Sequence, residues 1–219
     1  MIKAIILDMD GLMVDTESLY SIALQRIAQK KGKDFTLTLK RAMIGRQGTS
    51  SMDIFGKQLG LHETAEELLA ERERIYGELL NEAELIPMPG LLELLLLADD
   101  MAIPVAIASS SSECWIRIVV DKLRINNRFK AIVSGNSVKN SKPCPDIYLL
   151  AAERLGIEPQ YCLALEDTPV GIEAAKRAGM ISVAVPNQYS KGLDFSMADM
   201  VINSLKDVEN EVFKKYANV

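Results

Sequence analysis

The chain has 219 residues, of which 48% are hydrophobic and 25% are charged. These values are typical of a folded globular protein and exclude long disorder, and the length suits one core that carries an insertion. The net charge of −5 argues against nucleic acid or an anionic membrane as a partner. The single histidine, His62, excludes a multi-histidine zinc site. Three cysteines without metal-ligand spacing predict reduced thiols in a cytoplasmic protein, which we expect to be a monomer.

Six short apolar runs predict the strands of one sheet. Each run is continuous rather than alternating, which is typical of parallel strands buried on both faces. Amphipathic segments lie between the later runs, so the sequence predicts a doubly wound parallel α/β sheet with right-handed crossovers. The predicted strands, in chain order, are 2–7, 103–108, 131–133, 161–165, 181–185 and 200–202.

The interval between the first two predicted strands has a different character. Residues 16–87 show helical periodicity and no strand pattern. An insert of about 70 residues is far longer than a crossover needs, so we predict a separate all-helical cap domain. The core then consists of residues 1–15 and 88–219. Two linkers, near 14–17 and 86–90, would let such a cap open and close over the strand ends.

Polar residues follow four of the predicted strands at the point where each strand ends. Ligands of open α/β sheets bind beyond the carboxyl ends of the strands, near the switch in strand order. We therefore expect these polar side chains to share one rim of the sheet. The segments, in chain order, are Asp8-Met9-Asp10-Gly11, the serines 109–112, Lys142-Pro143 and Glu166-Asp167.

The chemistry of this rim points to a phosphoryl site. The carboxylates of Asp8, Asp10 and Asp167 repel one another unless a cation lies among them. Ligands that are all oxygen favour a hard cation, and Mg²⁺ is favoured because it also pairs with substrate phosphate. Ser109 and Lys142, with backbone N–H groups at the start of the next helix, would bind the anion.

One of these carboxylates can act as a nucleophile. Asp8 would attack phosphorus and become an aspartyl phosphate. Asp10, two residues later, would protonate the leaving group and then activate water. Gly11 lets the backbone turn sharply beside the cation, and Gly11 and Ser110 are further candidates for contact with phosphate.

The same segments resemble the four motifs of the haloacid dehalogenase superfamily. The resemblance covers the whole chain, including the position of the insert, and it implies a Rossmann-like core with a cap. The matching segments are 5–16 (Ile-Ile-Leu-Asp-Met-Asp-Gly-Leu-Met-Val-Asp-Thr), 106–109 (Ala-Ile-Ala-Ser), Lys142-Pro143 and 164–172 (Ala-Leu-Glu-Asp-Thr-Pro-Val-Gly-Ile).

This resemblance implies a role for each residue of the rim. Asp8 would be the nucleophile and Asp10 the acid and base, with Ser109 and Lys142 on the phosphoryl group. The implied Mg²⁺ ligands are Asp8, the carbonyl of Asp10 and Asp167, with Glu166 beside them.

The inserted cap is similar to that of the β-phosphoglucomutase-like subgroup, and segment 8–21 looks closest to pseudouridine-5′-phosphatase-like and 2-deoxyglucose-6-phosphatase-like members. Where the mutase has a cap histidine that assists the acid/base aspartate, this sequence has Tyr20, which favours a phosphatase. The turn Gly45-Arg46-Gln47-Gly48 resembles the specificity loop of the subgroup. Arg46 and Gln47 are therefore candidates for substrate contact, and Tyr20 is a third candidate from the cap. A solvated arginine on a glycine-bounded turn explains Arg46 equally well.

We therefore expect a Mg²⁺-dependent phosphatase that hydrolyses a small sugar phosphate or nucleotide monophosphate through an aspartyl phosphate. A sugar phosphomutase is the alternative within the same class. A phosphoacceptor signalling domain is the alternative from another class, since it also combines Asp, Mg²⁺, Ser or Thr and Lys on a doubly wound sheet. Such domains are shorter and place the acceptor on an internal strand, whereas Asp8 follows the first strand.

Overall fold

A computed structural model describes residues 1–43 and 48–216. The chain divides into two compact units. One unit comprises Met1–Asp15 with Leu85–Val219, and the other comprises Thr16–Glu84. The sequence prediction drew the second border of the insert after residue 87.

The first unit contains a parallel sheet of six strands within its described residues, so the predicted α/β fold class is confirmed. The strand order is β3-β2-β1-β4-β5-β6. The chain moves outward from β1 in one direction and then returns to its other side, so the switch in strand order lies between β1 and β4. The strands are β1 (Ala4–Leu7), β2 (Val105–Ser109), β3 (Ala131–Ser134), β4 (Cys162–Glu166), β5 (Ile181–Ala184) and β6 (Met200–Val201).

Helices follow the strands as the sequence predicts. The helix after β4 begins with Pro169, and the Thr168 side chain caps it by accepting from the Gly171 N–H at 3.2 Å. The helix before β4 ends at Gly156, whose φ of +68° is the left-handed conformation typical of helix ends. Within the described residues, the helices of this unit are α5 (Leu91–Asp100), α6 (Glu113–Lys122), α7 (Asp146–Leu155), α8 (Pro169–Arg177) and the short α9 (Lys214–Tyr216).

The central strands are buried along their whole length, which explains their unbroken apolar character. Every residue of β1, β2 and β4 is buried. One face of the sheet carries small side chains, and α7 and α8 pack on it through their alanines. This close packing fixes the strand ends and therefore the side chains that follow them.

The second unit is helical in its described residues, 16–43 and 48–84. Its longest helix begins at a capping box in which Thr64 and Glu67 each accept the other's backbone N–H. Its helices are α1 (Glu17–Lys30), α2 (Leu37–Met43), α3 (Gly48–Leu59) and α4 (Ala65–Glu82). None of the helices in the part of the chain that the structure describes has the length and apolar character needed to cross a bilayer.

Candidate active site

A buried ion-pair cluster lies where β1 meets β4. The register pairs Leu7 with Leu165, and the Asp8 N–H donates to the Leu165 carbonyl at 3.1 Å, so Asp8 directly follows the paired segment. The Lys142 ammonium lies 2.6 Å from Asp8 Oδ1 and 2.6 Å from Glu166 Oε1. The side chains of Lys142, Asp8 and Glu166 are only 3%, 8% and 1% exposed. Water therefore screens these charges very little.

The cluster holds more negative than positive charge. Asp8, Glu166 and Asp167 each offer a carboxylate oxygen, and the three oxygens lie within 4.8 Å of one another. Burial raises the pKa of Asp8 to about 8, and the Glu166 and Asp10 carboxylates add to this rise, although Lys142 opposes it. Three carboxylates face one ammonium, so the cluster lacks positive charge that a divalent cation would supply. The oxygen donors suit Mg²⁺. The residues present therefore fit the cation that the sequence implies.

Asp10 lies beside this cluster with its carboxylate turned to the serines that follow β2. Its Oδ2 accepts from the Ser109 hydroxyl at 3.1 Å and from the Ser111 hydroxyl at 2.7 Å. The Ser111 N–H in turn donates to Ser109 Oγ at 3.0 Å. The sequence reasoning missed Ser111. The signal that could have found it is that every second residue of an extended serine run, here Ser109 and Ser111, points to the same side of the chain.

The spacing of Ser110 and Glu113 predicts a capping box, and this prediction is wrong. Helix α6 begins at Glu113 with Ser112 as its N-cap, and no side chain caps it. The hydroxyls of Ser109 and Ser111 are engaged with Asp10, which keeps the chain out of the helix for these residues. The contact predicted between Ser110 and phosphate stays a prediction.

The turn after Asp8 brings the first and fourth segments together at Gly11. Its φ of +82° is a conformation that glycine adopts easily, and its N–H donates to the Val14 carbonyl at 2.9 Å. A Cβ at this position would overlap Oδ2 of Asp167 and Nδ2 of Asn187. Glycine is therefore required here both for the turn and for the close approach to Asp167.

A buried tyrosine that the sequence reasoning missed completes the surroundings of Glu166. The Tyr148 hydroxyl donates to Glu166 Oε1 at 2.8 Å, and the Thr168 hydroxyl donates to Oε2 at 3.1 Å. Burial and the Glu166 charge raise the pKa of Tyr148 well above its usual value, so the phenol stays a neutral donor. A Cβ at Gly171 would overlap the same carboxylate, so Glu166 fits tightly against the start of α8. Only the buried position of Tyr148 on α7 could have pointed to it.

Replacing Tyr148 with phenylalanine should lower the free energy of unfolding by about 1–2 kcal/mol. The change removes one hydrogen bond to a buried carboxylate but keeps the ring, and Lys142 still compensates the charge of Glu166. Urea unfolding in the presence of a chelator measures the difference. The matched control is Tyr161→Phe, which should stay within about 0.5 kcal/mol of the wild type. Equal stabilities of the Tyr148 variant and the wild type would contradict this contribution.

The loop after β5 supplies a third residue that the sequence reasoning missed. Asn187 Nδ2 donates to Asp167 Oδ2 at 2.7 Å and to the Gly11 carbonyl at 2.9 Å. A cleft of about 480 Å³ opens beside Gly11 and Asn187. The sequence carried no motif that singles this asparagine out.

Of the three cap residues in the prediction, Tyr20 is the one that lies within the described residues. Tyr20 lies in α1 of the helical unit, where its ring stacks on Tyr76 with the ring centres 3.9 Å apart. The Arg72 guanidinium carbon lies 5.1 Å from the centre of the Tyr20 ring. Arg46 and Gln47 lie outside the described residues.

Comparison with known proteins supports the resemblance. The family model for haloacid dehalogenase-like hydrolases matches residues 5–185. A phosphorylated carbohydrates phosphatase from Thermotoga maritima is 36% identical over 182 residues, which are 81% of this chain and 82% of that protein. A β-phosphoglucomutase from Bacillus subtilis is 32% identical over 218 residues, covering 96% of this chain and 93% of that protein.

The fold agrees with a solved structure of a related protein. The crystal structure of CbbY from Rhodobacter sphaeroides in complex with phosphate has a TM-score of 0.84 and 26% identity, and it covers 95% of this chain and 96% of that chain. The family model matches most of the chain, and the phosphatase and phosphomutase relatives also cover most of it. These matches establish the family to which the chain belongs. This chain belongs to the haloacid dehalogenase-like hydrolase family and is an enzyme of its phosphomonoester hydrolase branch.

Proposed function

We propose that the protein is a Mg²⁺-dependent phosphatase that hydrolyses a small phosphate monoester through an aspartyl phosphate on Asp8. The observation that carries the proposal is the buried Asp8 carboxylate at the switch in strand order, paired with Lys142 at 2.6 Å and followed two residues later by Asp10. A nucleophile needs an environment that holds one oxygen in place and keeps bulk water away. The burial of Asp8 and its contact with Lys142 supply both.

In the first half of the reaction, an oxygen of Asp8 forms a bond to phosphorus as the bond from phosphorus to the ester oxygen breaks. The protonated Asp10 carboxyl gives its proton to the departing alkoxide. Lys142 and the Ser109 hydroxyl stabilise the negative charge on the phosphoryl oxygens. The hydrogen bond from Ser111 holds Asp10 in position for this transfer, while the single hydroxyl hydrogen of Ser109 turns from Asp10 to the phosphoryl group.

In the second half, Asp10 acts as a base. It takes a proton from a water molecule, whose oxygen forms a bond to phosphorus while the bond from phosphorus to Asp8 breaks. Inorganic phosphate leaves, and Asp10 is again protonated for the next cycle. Asp8 thus carries out the covalent steps, and Asp10, two residues later, carries out the proton transfers.

The proposed cation would be held by Asp8, the backbone carbonyl of Asp10 and Asp167, with Glu166 beside them. When bound, Mg²⁺ neutralises charge on the transferring phosphoryl group. Both oxygens of Glu166 already accept hydrogen bonds, from Lys142, Tyr148 and Thr168. Its main effect is therefore to hold Lys142 in place.

A phosphorylated sugar or a nucleotide monophosphate is the proposed substrate class. The relative from Thermotoga maritima is named for phosphorylated carbohydrates, which favours the sugar phosphate. The β-phosphoglucomutase relative keeps a phosphomutase as the second candidate. Tyr20, at the position where the mutase resemblance implies a histidine, favours hydrolysis over return of the phosphoryl group to sugar.

The test is multiple turnover on an aryl phosphate with Mg²⁺, followed by a panel of sugar phosphates and nucleotide monophosphates. We expect phosphate release from several of them, and no release in excess chelator. An isomerised sugar phosphate as the main product would replace the phosphatase with the mutase. A single stoichiometric phosphorylation without turnover would indicate the phosphoacceptor domain.

Replacing Asp10 with asparagine should lower kcat on an alkyl phosphate by about 10²–10⁴-fold, because the leaving alkoxide loses its proton donor. On an aryl phosphate, whose leaving group needs less protonation, the phosphoenzyme should form and then hydrolyse slowly. Rapid-quench kinetics should therefore show a burst of one phenolate per enzyme. Asp34→Asn, at an exposed position, is the matched control and should behave as the wild type. Normal steady-state turnover in the Asp10 variant would remove Asp10 from the acid–base role.

A further inference from the structure

Asn187, in the loop after β5, contacts two of the segments that build the proposed cation site. Its amide nitrogen donates to Asp167 Oδ2 at 2.7 Å and to the Gly11 carbonyl at 2.9 Å. We propose that Asn187 is a positioning residue that fixes the Asp167 carboxylate for the divalent cation. The inference rests on the proposed function, because it assigns Asp167 to that cation.

The loop holds the amide in a single orientation. The side-chain oxygen of Asn187 accepts the backbone N–H groups of Tyr189 at 2.8 Å and Ser190 at 3.1 Å. The backbone N–H of Asn187 donates to the Ser190 hydroxyl at 3.1 Å. Rotating the amide by half a turn would place its NH₂ group against these N–H groups and its oxygen against Asp167, with repulsion on both sides. The donor is therefore held facing Asp167.

A neutral donor suits a carboxylate that must keep its charge. Asp167 is 4% exposed, so the protein has to supply much of the hydrogen bonding that water would otherwise give. An ammonium at this place would neutralise the carboxylate and compete with a cation, as Lys142 does for Glu166. The Asn187 amide instead orients the carboxylate and leaves its negative charge available.

The second hydrogen of the Asn187 amide links Asp167 to another segment of the site. It bonds to the Gly11 carbonyl, so one side chain ties the turn that follows Asp8 to the residue that follows β4. A side chain at Gly11 would overlap both Asn187 and Asp167, so these three residues form one closely packed unit. Loss of the amide would free Asp167 and this turn to move relative to each other. Since the ligand atoms come from both segments, cation affinity should fall.

The test is the binding of Mg²⁺ alone, measured by titration calorimetry, in Asn187→Ser and Asn187→Ala. The serine variant keeps a side-chain oxygen that can accept from the loop N–H groups, so the turn is retained, but it cannot reach Asp167. We expect the Mg²⁺ Kd to rise about 10–100-fold in both variants, the range typical of lost partners of metal ligands. At saturating Mg²⁺, kcat should return to within about threefold of the wild type, which a loss of structure would not allow. Gln188→Ala, an exposed neighbour in the loop, should bind Mg²⁺ as the wild type does.

The outcomes separate this inference from the proposed function. A wild type that binds Mg²⁺ and hydrolyses phosphate esters, with a Kd unchanged within twofold in both Asn187 variants, would overturn the inference alone. A kcat loss that saturating Mg²⁺ does not restore would also overturn it. A wild type that binds Mg²⁺ without hydrolysing any ester would overturn the proposed function, while the Kd comparison would still decide the role of Asn187. A wild type that binds no Mg²⁺ would overturn both.

Discussion

Replacing Asp8 with asparagine should reduce phosphate release by about 10⁴-fold or more while leaving the protein folded. The variant keeps the shape of the side chain but loses the oxygen that forms the bond to phosphorus, and other groups of the site cannot replace a lost nucleophile. Phosphate release under saturating Mg²⁺ measures the loss. A phosphoenzyme trapped in acid should be found for the wild type and not for this variant.

The stability of the same variant tests the charge balance of the site. In a chelator, Asp8→Asn removes one of three crowded carboxylates, and Lys142 keeps its contact with Glu166 at 2.6 Å. The Tm should therefore stay at the wild-type value or rise, although a buried ion pair has been broken. The Mg²⁺-dependent increase in Tm should shrink, because a ligand is lost. Asp100→Asn, at an exposed position, is the matched control for both measurements. Activity near that of the wild type in Asp8→Asn would remove Asp8 as nucleophile, and a large drop in Tm would contradict the excess of negative charge.

The strands and the residues that follow them could be predicted because each leaves a local signal. A strand buried on both faces needs an unbroken apolar run, as in β1 and β4, and a parallel sheet places the ends of such runs on one edge. A polar residue directly after the run must then lie on that edge. This is why Asp8 and Glu166 could be expected to meet although they are far apart in the sequence.

The partners of those residues could not be predicted in the same way. Asn187 occupies a turn, where asparagine is common for reasons unrelated to function, and only the fold brings its amide to Asp167. In the sequence, Tyr148 looks like an ordinary buried residue of a helix. The role of its hydroxyl becomes visible only from its hydrogen bond to Glu166 in the structure. In the serine run, the Ser109 and Ser111 hydroxyls meet Asp10 only in the fold, so the sequence could not show that α6 begins as late as Glu113.

Replacing Lys142 with methionine should cost about 3–5 kcal/mol of stability in a metal-free buffer. Methionine has a similar length, so the packing is largely kept, but Asp8 and Glu166 lose the ammonium that lies 2.6 Å from each. Removing one partner of a buried ion pair leaves the other charge uncompensated, and above the pKa of Asp8, about 8, two carboxylates are left. Urea unfolding in a chelator measures the loss. Lys57→Met removes a lysine from an exposed pair with Asp53 and should cost less than about 1 kcal/mol.

The pH dependence of this loss has a defined sign. Burial raises the pKa of Asp8 to about 8 in the folded protein, above the ordinary value of 3.8 in the unfolded chain. The folded state therefore binds this proton more tightly, and the metal-free wild type loses stability as the pH rises between those two values. Without Lys142, which holds that pKa down, the pKa rises further, so the loss of stability continues to higher pH. The stability difference between Lys142→Met and the wild type should therefore be smaller near pH 6 than near pH 9, where Asp8 of the wild type is ionised beside Lys142, and Mg²⁺ should restore part of it at pH 9 by neutralising the same carboxylates. A difference that does not change between these pH values would show that Lys142 contributes by packing rather than by charge.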